Sequence, residues 1–259
     1  MGHYYGNTKI RFMKNMQTIA TQAVALMDLT TLNDTDTAQT IEDLIASIQP
    51  KLGVPAAVCV YSQFVSDAKL ALAERALKQV KVATVTNFPT GEQPLEQVIN
   101  ETLFAIERGA DEIDLVIPYK ALIAGDEEKV LTYVKSSKDA CGNKTVLKVI
   151  IESGELTDEL ITKASQLAID GGADFVKTST GKVAVNATLA ATEIILTAIK
   201  ASGKNVGFKA AGGVRTVADA AQYLALAESI MGEAYIKPKL FRFGASGLLS
   251  DVYATLNES

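Results

Sequence analysis

Ala173-Asp-Phe-Val-Lys-Thr-Ser-Thr-Gly-Lys182 starts as a short apolar strand, ends that strand on Lys177 and opens into a small hydroxyl-and-glycine loop. Asn205-Val-Gly-Phe-Lys-Ala-Ala-Gly-Gly-Val-Arg215 repeats the pattern, with Lys209 at the strand end and a glycine-rich loop after it. Two consecutive βα units place these lysines at the same end of neighbouring parallel strands. Such a pair suits chemistry on an amine.

Working outward, β-like and helix-like patterns alternate. Strands are expected at 25–29, 56–60, 82–85, 112–117, 146–151 and 241–244, besides the two lysine strands. Helices are expected at 38–48, between the second and third strands with apolar Leu70, Ala73, Leu77 and Val80, up to Gly109, and after the Thr157-Asp-Glu cap. No linker or composition shift divides the chain, so a single (β/α)8 TIM barrel with an extra N-terminal helix accounts for it best. An open doubly wound sheet is the alternative, but no Gly-x-Gly-x-x-Gly follows the first strand. Residues 1–12 are read as a leader or cloning remnant, and residues 13–259 as one catalytic domain.

Composition narrows the function. Of 259 residues 48% are hydrophobic and 21% charged, which favours a large core over disorder. A net charge of −5 argues against non-specific nucleic-acid binding, which needs a basic surface. No apolar run is long enough for a membrane span, and the two cysteines, Cys59 and Cys141, have no CxxC spacing. With His3 the sole histidine, no metal site is expected. A small-molecule partner and a cytosolic, reducing location follow as expectations.

Side chains on a strand alternate faces, so Glu112, Asp114 and Val116 share one side and Ile113, Leu115 and Ile117 the other. The polar side is expected inside the barrel, with Asp28, Thr30, Lys148, Lys177 and Lys209. These charges form either a buried ion-pair cluster or a site for a Schiff-base lysine. A free lysine titrates near ~10.4, so a neutral amine at neutral pH requires a fall of ~3 pH units, or ~4 kcal/mol. A second ammonium ~6 Å away supplies ~3 kcal/mol at an effective dielectric of ~20, and burial adds the rest. The loops Thr180-Gly181-Lys182, Gly212-Gly213-Val214-Arg215 and Gly244-Ala-Ser246-Gly247 are either tight βα turns or a phosphate site. Their position after the last three strands, where such barrels bind phosphate, favours the latter.

The segments Leu26-Met-Asp-Leu-Thr-Thr-Leu32, Ala83-Thr-Val-Thr-Asn-Phe-Pro89, Gly109-Ala-Asp-Glu-Ile-Asp114, Leu147-Lys-Val-Ile-Ile-Glu152 and the two lysine motifs resemble those of the deoxyribose-phosphate aldolases, from about Met13 to Leu249. The resemblance implies reversible cleavage of 2-deoxy-D-ribose 5-phosphate to D-glyceraldehyde 3-phosphate and acetaldehyde, without metal or organic cofactor. It implies that Lys177 forms the Schiff base, that Lys209 perturbs it and that Asp114 relays protons through water. Asp28, Thr30 and Cys59 then fall near the substrate, Lys148 behind them, and the phosphate on the three loops. The sequence departs from that pattern at Ala210, where proline is frequent, and at Gly247, where a second serine is usual. Some members end in a tyrosine that assists proton transfer, whereas this sequence ends Asn257-Glu-Ser259. Two further readings stand beside this one: another Schiff-base aldolase or transaldolase acting on a phosphorylated sugar, and a non-catalytic sugar-phosphate binding barrel. A homodimer is the default assembly.

Overall fold

The computed structural model describes residues 15–257; the expected leader, residues 1–12, lies outside them. A helix over residues 15–25 (α1) precedes the barrel. The order is then β1 (Met27–Thr30), α2 (Ala38–Ala46), β2 (Ala57–Val60), α3 (Val65–Glu74), β3 (Lys81–Thr86), α4 (Leu95–Glu107), β4 (Glu112–Val116), α5 (Tyr119–Ile123), α6 (Glu127–Cys141), β5 (Val146–Ile150), α7 (Asp158–Asp170), β6 (Phe175–Lys177), α8 (Leu189–Ser202), β7 (Gly207–Ala211), α9 (Val217–Met231), β8 (Phe241–Ala245) and α10 (Leu248–Asn257). All neighbouring strands pair in parallel, and β8 returns to β1, with Met27 opposite Phe243, to close the barrel. That closure rules out the open sheet.

Local chemistry explains where the helices begin. Thr157, Thr188 and Thr216 each accept a backbone N–H of the first turn, and Asp219 completes a reciprocal capping box with Thr216. Asp158 and Glu159 place negative charge at the positive end of α7. The third helix differs from expectation. It spans Val65–Glu74 and buries Val65, Ala68, Ala71 and Leu72, whereas Leu70 is 61% exposed and Ala73 is exposed too. Leu77 and Val80 are buried, but beyond the helix end. Every residue from Leu70 to Ala73 is apolar, so the pattern there names no face; the true start at Val65, behind a 3-10 turn at Ser62–Phe64, sets it.

The core is the annulus between sheet and helices, filled by residues such as Ile113, Leu115, Leu147, Val149 and Phe208. Inside the sheet, a small apolar group of Leu32, Ala57, Cys59, Ala83 and Val85 occupies the β1–β3 side. On the other side Gly207 makes room for the Phe175 ring, since a Cβ there would stand 2.5 Å from its Cδ1. Gly207→Val therefore overpacks the barrel interior and is expected to lower unfolding free energy by about 1–3 kcal/mol in a urea titration.

Candidate active site

Strand register brings the charged interior residues together. Lys177 lies opposite Lys209, Asp114 opposite Lys148, and Lys209 opposite Arg242. Their side chains turn inward and join in one ion-paired group. Asp114 Oδ2 accepts from Lys177 Nζ at 2.7 Å and from Lys209 Nζ at 2.8 Å, while its Oδ1 accepts from Lys148 Nζ at 2.8 Å. Lys209 also donates to Asp28 Oδ2 at 2.5 Å. Lys148 reaches Glu112 at 2.6 Å, and Arg242 joins Asp28 to Glu112, at 2.8 Å on the glutamate. All of these side chains are at least nine-tenths buried.

The members differ in how they hold their charge. Burial opposes ionisation of Asp114, but three ammonium groups outweigh it and keep the carboxyl well below the usual range. Burial likewise opposes the charge on Lys148 and Lys209, and their carboxylates outweigh it, so both titrate higher than a free lysine. Lys177 goes the other way. Burial lowers it, Asp114 is its only ion-pair carboxylate among the described residues, and the Lys209 ammonium adds to the lowering. Burial thus leads, with the neighbouring ammonium in support.

Above this group is an open cavity of about 440 Å³ at the carboxyl ends of the strands. Of the four buried cations among the described residues, Lys177 is the one that lines it. Thr30 borders it from β1, and all three glycine loops border it opposite: Thr180, Gly181 and Lys182, then Gly212, Gly213, Val214 and Arg215, then Gly244, Ser246 and Gly247. Gly212 and Gly213, at φ 80° and 95°, make a turn that ordinary side chains resist. Gly244 serves by size, since a Cβ there would stand 2.9 Å from Lys209 Cε. Lys182 Nζ reaches across to the Leu32 carbonyl at 2.6 Å. Asp114, Lys209, Asp28 and Lys148 lie beneath the cavity in the ion-paired group, and Cys59 is packed in the apolar group of β1–β3, its thiol pushed up by burial.

Three contributors carry no role in the sequence reading. Glu152, buried and left-handed at φ 54°, accepts from the Thr180 N–H at 3.1 Å and pairs with the Thr180 hydroxyl at 2.6 Å. That hydroxyl accepts the Lys182 N–H at 3.0 Å, so one carboxyl fixes the turn of the lysine loop. Arg242 and Glu112 complete the ion-paired group. Arg242 had a visible signal, a charged residue between two phenylalanines on a strand; Glu152 had none, because it is the second residue past β5 and alternation has ended there.

A family model for DeoC/LacD family aldolases matches residues 22–249. The chain belongs to that family. A crystal structure from Toxoplasma gondii ME49, named as a candidate deoxyribose-phosphate aldolase, is 27% identical, with a TM-score of 0.86 over 95% of this chain and 98% of that one. A Coccidioides immitis structure named in the same way is 29% identical, with a TM-score of 0.80 over 91% and 86%. The tetrameric deoxyribose phosphate aldolase of Aeropyrum pernix, at 23% identity and TM-score 0.73, shares the fold over 95% and 99%. The aldolase barrel expected from the lysine motifs is therefore the one found.

The lowered carboxyls of Asp28 and Asp114 give this site an acid signature. A carboxyl whose folded value lies below its unfolded ~3.9 adds stability above that pH, lost as pH falls towards the folded value. Urea titrations are expected to show stability dropping below about pH 4. Asp28→Asn is expected to cost about 3–5 kcal/mol at pH 7, because it strands buried cations, and to flatten the acid limb.

Proposed function

We propose that this aldolase cleaves 2-deoxy-D-ribose 5-phosphate reversibly to D-glyceraldehyde 3-phosphate and acetaldehyde, with Lys177 as the Schiff-base residue. The observation that carries this reading is the position of Lys177: buried, lowered in basicity, paired with a single carboxylate and open to the cavity. A neutral amine there attacks the C1 aldehyde of the open-chain sugar, and loss of water from the carbinolamine gives an iminium. A base removes the C3 hydroxyl proton, the C2–C3 bond breaks, and its electron pair moves into the iminium to form an enamine. Glyceraldehyde 3-phosphate departs. Protonation of the enamine at C2 and hydrolysis then release acetaldehyde and restore Lys177.

Asp114 and Lys209 supply the proton traffic in this reading, since both touch or neighbour the Lys177 amine and are hydrogen-bonded to each other. Lys148 and Asp28 hold them in place, and Thr30 borders the aldehyde end. The phosphate is assigned to Gly181 and Lys182, Gly212 to Arg215, and Gly244 to Gly247, with the N-terminus of α10 directly behind Ser246. The iminium is the electron sink, so these steps call for no metal or organic cofactor. No described helix is long and apolar enough to cross a membrane; a cytoplasmic homodimer completes the proposal.

Incubation with acetaldehyde and borohydride, followed by peptide mass mapping, is expected to place a reduced ethyl group on Lys177 and none in Lys177→Ala. An untouched interior in folded protein instead favours a sugar-phosphate binding barrel. Asp114→Asn is expected to lower kcat by about 10²–10⁴, the usual worth of a positioned proton-transfer group. Ser246→Asp sets like charges against each other, so KM for the phosphorylated sugar is expected to rise about tenfold or more, with KM for 2-deoxyribose unchanged. Preference for another phosphorylated sugar in a substrate panel would point to a different Schiff-base aldolase.

A further inference from the structure

With every member in its charged form, the buried group holds four cations, Lys148, Lys177, Lys209 and Arg242, against three carboxylates, Asp28, Glu112 and Asp114. Each cation has a partner, but the group as a whole carries one positive charge in excess. Excess charge in a medium of low dielectric is costly, and losing one proton removes it. Which group loses it depends on how the carboxylates are divided.

Arg242 is the group that cannot give up its proton. It enters from the N-terminal end of β8, away from the cavity, and is held by the Pro238 carbonyl and stacked over the Phe175 ring at 5.7 Å. It occupies Asp28 Oδ1 and both oxygens of Glu112. Lys148 then shares Glu112, Asp114 and Asp28, Lys209 shares Asp28 and Asp114, and Lys177 is left with Asp114 alone. The remaining interior surroundings of Lys177 add little compensating charge. Cys59 on β2 is a buried thiol with its basicity raised, β3 presents Ala83 and Val85, and Glu152 past β5 is buried against Thr180 with its carboxyl shifted towards the neutral form.

We propose that Arg242 is a positioning residue for the reaction: its fixed charge at the closed end of the barrel makes the group one cation too rich, and so keeps Lys177 an uncharged amine. Glu112 is its counterweight, setting how far that excess is felt. This rests on Lys177 being the Schiff-base residue. It assigns function to a residue that does not line the cavity.

The test is the pH dependence of reductive ethylation of Lys177 by acetaldehyde and cyanoborohydride, read by peptide mass mapping between pH 5 and 9, with kcat/KM for cleavage measured in parallel. Attack needs the neutral amine, so the rate rises with pH through the Lys177 midpoint. Arg242→Leu removes a cation and is expected to move that midpoint up by about one pH unit, given a charge two strands away, ~10 Å, at an effective dielectric of ~20. Below the midpoint, ethylation slows about tenfold. Glu112→Gln removes an anion and is expected to move the midpoint down, whereas Arg242→Lys keeps the charge and the wild-type midpoint. A purely structural Arg242 predicts lower melting temperatures without opposite displacements. Midpoints that stay at the wild-type value, or move in the same direction in Arg242→Leu and Glu112→Gln, overturn the proposal. The near-isosteric Glu112→Gln carries the test where Arg242→Leu does not fold. An adduct on wild-type Lys177 with unmoved midpoints overturns this inference alone; no adduct on wild-type Lys177 overturns the Schiff-base reading and this inference with it.

Discussion

Asp114 accepts from three lysines, each on a different strand, and the interior of the barrel depends on that convergence. A carboxylate that accepts from three lysine Nζ groups satisfies its lone pairs without water, which is what makes burial of the whole group tolerable. It also couples β4 to β5, β6 and β7 through side chains as well as through the sheet. The apolar annulus outside the strands supplies the bulk of the folding free energy. The polar interior supplies the position of each amine.

Division of labour within the ion-paired group follows from depth. Lys148, Lys209 and Arg242 lie where each can reach more than one carboxylate, and their charge is reinforced. Lys177 is one level closer to the cavity, with one carboxylate and the same desolvation. Burial disfavours the charge at all four positions, and the carboxylates outweigh it at three of them. The amine with a single carboxylate is thus the one beside the cavity, and the loops after β6, β7 and β8 border the same space.

Much of this was legible beforehand. Period-two alternation assigned Asp28, Glu112, Asp114, Lys148, Lys177 and Lys209 to one face, because a strand buried on both sides still has to segregate charge from apolar contact. The repeated strand-lysine-glycine motif placed two amines side by side, and the register of β6 with β7 agrees residue for residue. Less legible was α3, where an unbroken apolar run hides the buried face, and Glu152, whose left-handed backbone lies past the end of any alternation.

By itself the sequence determined the order of elements, the lysine strands and the glycine turns, since these rest on spacing and local backbone preference, and its motifs carried the resemblance to the family. Only the tertiary structure decided which carboxylate serves which cation, that Arg242 belongs to the group, and that Cys59 packs among apolar neighbours while Lys177 opens on the cavity. The reason is physical. Strand alternation tells which side a residue faces, but ion pairing depends on height within the barrel and on shear between strands, and those are fixed when the eighth strand closes on the first.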